Sequence, residues 1–282
     1  SILWAEKADI RELCTAPIPG GGLHSPKLNA SKIPQLVVPT TPTTAIIKAG
    51  SAVLDPANGS RLALYDPKTR AQAVFIHPDL ISTAPRQLFA SAGVNTLTLA
   101  VEGLMSSVGD PISDALLIHA VRMLAERLPQ SGQIDDSAMR ADLIMASILC
   151  GQGSDHTGAG IAIPLGHAIG ARYQIDMGLT DAVVLPHVLR FNAQASPAGI
   201  RKLGAAFGIS GLDDEPLLEV VIGGLEKIFT DLGLARRLRD IGITQDAFPD
   251  LAAVTMDDWY LKNNPRPVNA ASELEQLLQQ AW

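Results

Sequence analysis

The sequence predicts a remnant of an α/β layer, residues 1–84, followed by a large all-α domain, residues 85–282. Two observations carry that expectation. Short β-rich runs bounded by Pro, Gly, Asn and Asp crowd into residues 35–77. From Pro85 onward apolar residues recur at helical spacing almost without a break, and no internal repeat is visible.

Taken in order, residues 1–14 read as a helix with Ile2, Leu3, Ile10 and Leu13 on its apolar side. The stretch 15–34, "TAPIPGGGLHSPKLNASKIP", is rich in Pro, Gly, Ser and Asn and reads as loop, with "PGGGL" at 19–23 a turn. Strand candidates follow at 35–40 (QLVVPT), 45–50 (AIIKAG), 61–66 (RLALYD) and 71–77 (AQAVFIH), with "DPANGS" at 55–60 turning between two of them. Helices are expected at about 85–106, 110–128, 136–151, 155–171, 180–192, 196–207, 214–231, 235–240, 245–253 and 269–281. Two starts carry cap chemistry: Asp110 precedes Pro111, and Asp135 or Asp136 opens the next helix.

Composition narrows the function. With 282 residues and 47% apolar content there is material for a sizeable core. A net charge of −7 without Lys/Arg clusters points away from nucleic acid and anionic membranes as partners. Cys14 and Cys150 form neither a disulfide framework nor a metal-ligand spacing, which fits a reducing cytoplasm. No uninterrupted apolar run of about 20 residues suggests a membrane span.

Three stretches carry a resemblance. "PQLVVPTTPTT" at 34–44, "FASAGVNTLTLAVEG" at 89–103 and "GIAIPLGHAIGARYQIDMGLTDAVVLPHVLRFN" at 160–192 occur in an order and spacing similar to the iron-containing alcohol dehydrogenase family. "ILCG" at 148–151 and the closing "NPRPVNAASELEQLLQQAW" look most like its maleylacetate reductase branch. The resemblance implies the C-terminal part of that dehydroquinate-synthase-like fold. It places an active site between an N-terminal dinucleotide-binding α/β domain and an all-helical domain.

The same resemblance implies that the metal ligands are lost. The family holds its ion with an Asp and a His four apart on one helix and two further His residues. The matching positions here are Asn95, Leu99, Ile163 and Met177. Leu and Ile cannot ligate, and Asn and Met are poor ligands for a divalent cation of this kind, so no metal is expected. His167 matches a family histidine beside the site, and His187 a structural position. His156, after Asp155 in the loop-like "GQGSDHTG", is a candidate for the rim of the cleft. Arg172 and Arg190 are candidates for an anionic substrate group, with solvated helix arginines the plainer reading.

The family's pyrophosphate motif, a glycine run followed by Ser, Asp and Lys, falls on Ser1, Trp4 and Lys7. This makes Ser1 a candidate N-terminal nucleophile released by cleavage, with its own amine as base and the first turn of helix beside an oxyanion. Lys7, Asn95 and His167 complete that catalytic set. The first expectation is therefore a hydrolase of a small amide or ester, free of metal and cofactor, partnered by the segment preceding Ser1 as a second chain and oligomerising further. The alternative is a metal-independent NAD(P)H-dependent reductase of the maleylacetate reductase type, with Thr40, Thr41 and Thr44 in its nucleotide loop. A third reading is a non-catalytic binding paralogue.

Overall fold

Residues 1–39 and 44–76 form one compact unit, and residues 40–43 and 77–282 form a second. The structure, a computed structural model, describes residues 1–18, 23–55, 57, 61–132 and 136–282. The expected turns at 19–23 and 55–60, and Asp135 as a cap, fall largely or wholly outside the described residues.

In the first unit the predicted helix over 1–14 is broken into α1 (Ile2–Glu6) and α2 (Ile10–Leu13). Lys7 adopts the left-handed conformation (φ 55°), which ends α1, and the Asp9 carboxylate accepts from Arg11 N at 2.9 Å to start α2. The loop that follows contains a two-residue antiparallel pairing of β1 (Ala16–Pro17) with β2 (Leu23–His24). β3 (Gln35–Val37) comes next, but AIIKAG is not a strand: Thr44–Ile47 is a 3-10 turn. A short apolar run cannot be assigned to strand or helix by periodicity alone. The turn is held by Arg70 donating to the Ile47 carbonyl at 3.0 Å. β4 (Gly50–Leu54) and β5 (Arg61–Tyr65) form an antiparallel pair, and β6 (Ala71–Val74) runs parallel to β3. The apolar cluster of this unit is small: Ile2, Leu13 and Leu64. Ion pairs supplement it. The Lys32 ammonium, 1% exposed, lies against the Glu6 and Asp66 carboxylates, and Arg11 grips Asp55 with two hydrogen bonds of 3.0 and 2.7 Å.

The second unit is helical throughout. After α3 (Pro78–Ile81) comes α4 (Arg86–Met105), buried on nearly all faces because its sequence is apolar on nearly all faces. By length and composition α4 is apolar enough to cross a bilayer, which corrects the expectation of no such run; 83% of its most apolar window lies inside the unit. α5 (Pro111–Arg127) starts as expected, with Asp110 accepting from Ile112 N and Ser113 N at 2.8 and 3.1 Å. Asp136 caps α6 (Ser137–Thr157) through Ala138 N. α6 runs six residues past its predicted end, through the stretch read as loop, and stops at Gly158 (φ 66°). His156 consequently sits on the last turn of a helix, well exposed, with Asp110 3.9 Å away.

α7 (Ala162–Tyr173) and α8 (Met177–Asn192) form a tight pair, followed by α9 (Pro197–Phe207) and α10 (Asp214–Asp231). The predicted helix at 235–240 is only a 3-10 turn, Leu238–Ile241. α11 (Phe248–Met256) and α12 (Ala271–Gln280) close the unit. α4 and α8 touch through backbone: a Cβ on Gly178 would lie 2.1 Å from the Ser91 carbonyl oxygen, so only glycine fits there. The buried Arg140 donates to the Ile81 and Ala84 carbonyls, both at 2.9 Å, and lies over the Phe89 ring, pinning α6 to the segment between α3 and α4.

Candidate functional site

Two buried acids of the second unit, Glu102 and Asp181, lie on α4 and α8, which pack with α7. Glu102, on α4, is fully enclosed and accepts from the backbone N–H groups of Gly160, Ala162 and Ile163 at 3.0, 2.6 and 3.3 Å. A side chain of one helix thus caps the start of another and satisfies donors that α7 leaves open. Burial raises its pKa above the ordinary value, with the amide N–H groups working in the opposite direction. A Cβ on Gly160 would collide with Asn264 and with Glu102 itself, which is why the chain is glycine there.

His167 lies one turn beyond Ile163 on α7. Its Nδ1 is 2.7 Å from Asp258 Oδ2, and both side chains are largely buried, 13% and 7% exposed. Asp258 Oδ1 accepts from Tyr260 N at 3.0 Å, so the carboxylate is fixed at the start of the 3-10 turn Trp259–Asn263. Tyr260 stands against the imidazole with ring centroids 6.1 Å apart. A carboxylate on Nδ1 sets the tautomer and orientation of the ring.

Asn95, on α4, donates through Nδ2 to Asp181 Oδ2 on α8 at 2.8 Å. Asp181 is wholly buried, and its Oδ1 has no hydrogen-bond partner. Burial pushes its carboxyl well above the usual carboxylate range, against the Asn95 amide, and the nearby Glu102 charge adds to the rise. Leu99 and Ile163 are buried and Met177 half-buried in the surrounding apolar cluster. Two of the four positions matching the family's ligands therefore carry no lone pair, and the other two offer only a neutral carboxamide and a thioether. This donor set does not fit a divalent cation, and no step is derived through one.

The other expected residues lie elsewhere. Ser1 and Lys7 belong to the first unit, Asn95 and His167 to the second. The Ser1 hydroxyl oxygen accepts from Ile33 N at 3.0 Å, and α1 spans only five residues, too short for the helix-end oxyanion site expected of it. Thr40 and Thr41 belong to the second unit and Thr44 to the first. Thr43 N donates to the Thr41 carbonyl at 2.9 Å, and Thr96 Oγ1 to the Pro42 carbonyl at 2.6 Å. The threonine loop is thereby fastened to α4 one residue from Asn95. Arg172 and Arg190 are paired with Asp250 and Glu219. His187 lines a separate cavity of about 70 Å³ with Pro186, Arg190, Glu226 and Arg236, and burial lowers its pKa. Asp258, Asp181 and Glu102 are site residues that the sequence reading missed.

Comparison with known proteins bears on the chemistry. Residues 89–282 match the model of the Fe-containing alcohol dehydrogenase family, C-terminal part. Lactaldehyde reductase of Escherichia coli is 28% identical over 257 residues, covering 90% of this chain and 67% of the relative. 1,3-propanediol dehydrogenase of Citrobacter freundii is 30% identical over 208 residues, covering 73% and 54%. NAD-dependent methanol dehydrogenase of Bacillus methanolicus is 24% identical over 253 residues, covering 88% and 66%. The chain thus spans between about half and two thirds of the length of these relatives. Among solved structures, alcohol dehydrogenase from Oenococcus oeni superposes with a TM-score of 0.88 at 21% identity, covering all of this chain and 72% of that one. Maleylacetate reductase from Agrobacterium tumefaciens superposes with a TM-score of 0.74 at 24% identity, covering 88% and 67%. These likenesses place the chain in the expected fold. They overturn the hydrolase with Ser1 as self-cleaved nucleophile, since the relatives are dehydrogenases and a reductase. They equally overturn the expectation of no cofactor, since relatives include an NAD-dependent dehydrogenase.

Proposed function

Because the chain belongs to the Fe-containing alcohol dehydrogenase family, we propose that it serves an NAD(P)H-dependent oxidoreductase activity that interconverts a small carbonyl compound and its alcohol. The observation that carries the reading beyond family membership is the His167–Asp258 pair, 2.7 Å apart and largely buried. His167 itself lies on the helix whose start is capped by Glu102, from the same helix that bears Asn95.

The residues fit the two halves of such a reaction. Thr40 and Thr41 offer hydroxyls that both donate and accept, on a loop fastened beside Asn95 by Thr96. They are the residues of this unit that would hold the nicotinamide nucleotide, which when bound supplies the hydride. His167, oriented by Asp258, delivers a proton to the carbonyl oxygen as the carbonyl carbon is reduced, and takes it back in the alcohol direction. Asn95 hydrogen-bonds that same oxygen. Leu99, Ile163 and Met177 supply the apolar surround, and no divalent cation enters the scheme.

The test is a titration of the intact protein with NADH and NADPH, followed by turnover of short-chain aldehydes in the presence of a chelator. Nucleotide binding and chelator-resistant turnover are expected. Failure to bind either nucleotide ends the reading, and loss of turnover in chelator, restored by iron or zinc, removes its metal-free part.

A further inference from the structure

We infer that Asp181 is a positioning residue of this site: it anchors the Asn95 carboxamide so that the group's remaining hydrogen-bonding atoms address the substrate oxygen. The inference rests on the oxidoreductase reading, and deepens it by assigning a residue that acts through another.

The pair has an inner and an outer end. Asp181 is 0% exposed, whereas Asn95 is only half-buried. The inner carboxyl oxygen Oδ2 takes one of the two Nδ2 protons at 2.8 Å. A carboxamide is planar, so this single bond fixes the direction of its other N–H and of its carbonyl oxygen. Without Asp181, the Asn95 side chain would turn about its terminal torsion, which has a broad well. Positioning within a fraction of an ångström is what such a group must provide for a small substrate.

The second oxygen of Asp181 supports a role other than packing. Oδ1 is buried and unpartnered. It lies 2.8 Å from where a Cβ on Gly166 would stand, and the same Cβ would be 3.6 Å from Met177 Cε. Gly166 immediately precedes His167. The carboxyl is therefore wedged between α7 and α8 beside the helix that carries the proton-transferring group. A buried acid with one bond is a poor structural element: an apolar side chain of similar size at such a position is commonly neutral or stabilising. The one bond this acid makes, to Asn95, is the role the structure offers it.

The experiment compares Asp181→Asn, Asp181→Leu, Asn95→Ala and the double variant Asp181→Leu/Asn95→Ala in the intact protein. Asp181→Asn keeps an acceptor for Asn95 and should stay within about threefold of wild-type kcat/KM. Asp181→Leu should fold with unchanged or higher Tm yet lose about tenfold in kcat/KM, chiefly through KM. The double variant should be no worse than Asn95→Ala alone, the non-additivity expected of two residues acting as one unit. Wild-type turnover combined with a silent Asp181→Leu, or with additive losses, overturns the inference and leaves the oxidoreductase reading standing. Should the wild type prove unable to turn over a carbonyl substrate, that reading fails by itself. The anchor is then judged from the Asn95 side-chain amide resonances during titration with 1,3-propanediol. A shift present in wild type and absent in Asp181→Leu supports it, and no shift in wild type overturns it.

Discussion

His167 comes first at the scale of single residues, because its contact with Asp258 at 2.7 Å is what the proposed proton transfer rests on. General acid–base catalysis by one side chain contributes about a hundredfold or more. His167→Gln should accordingly lower kcat by about that factor with KM little changed, and Asp258→Asn should act in the same direction, both read from steady-state kinetics. The buried carboxyls make a second prediction, about pH. An acid whose pKa is raised on folding stays proton-bound in the native state after the unfolded chain has ionised. Its effect on stability is nil below the unfolded value of about 4, and becomes a growing penalty as pH rises toward the native value. Asp181 and Glu102 both have this sign. Asp181→Asn removes one such penalty, so its Tm advantage over wild type should widen between pH of about 4 and about 7. A constant difference across that range would show that Asp181 is not proton-bound in the fold. The legibility of these residues in the sequence is uneven. His167 stood out through its motif, but Asp258 lies 91 residues further on, and nothing local links them. Glu102 did carry a signal: between Arg86 and Asp110 it is the one charged residue, and an acid alone in so apolar a helix has to find its partners inside.

Individual elements show where periodicity suffices and where it fails. The long helices were legible because their apolar spacing and Asp caps agree, as at Asp110 and α5. The end of α6 was not: two glycines in "CGQGSDHT" read as a break, although Gly153 is there so that Leu117 of α5 can approach, with a Cβ meeting it at 2.7 Å. Tertiary packing, rather than chain flexibility, placed that glycine. The joint between α4 and α7 is the element-scale prediction. Glu102→Ala leaves several buried N–H groups without acceptors, and an unmet buried donor costs about 1–3 kcal/mol. The variant should melt at a distinctly lower temperature, whereas Glu102→Gln, which keeps one acceptor oxygen, should recover part of the loss. Gly178→Ala should lower the melting temperature as well, since the added methyl meets Ser91 backbone rather than a movable side chain.

Across the whole molecule the two units differ in what holds them. The helical unit shares one large apolar cluster, to which α4 alone contributes Val94, Leu97, Ala100, Val101 and Leu104; the first unit has a cluster of three buried residues and a set of ion pairs. Hydrogen exchange should therefore separate them, with amides of α4, α6 and α8 among the slowest and those of β3 to β6 much faster. Equal protection across both units would contradict this account. Leu97→Ala, at a fully buried site, should cost about 2–5 kcal/mol by denaturant unfolding. The fold class was legible because a period change near Pro85 divides the chain, while the chemistry was not, because its parts come from residues 95 to 258. The Glu102 bridge has a consequence for redesign. With one carboxylate locking the register of α7 against α4, the helices that bear His167 and Asn95 cannot slide past one another. On the proposed oxidoreductase reading, accommodating a bulkier or slimmer substrate would then fall to trimmable side chains, and exchanges at Leu99, Ile163 or Met177 are where engineered selectivity should be sought first.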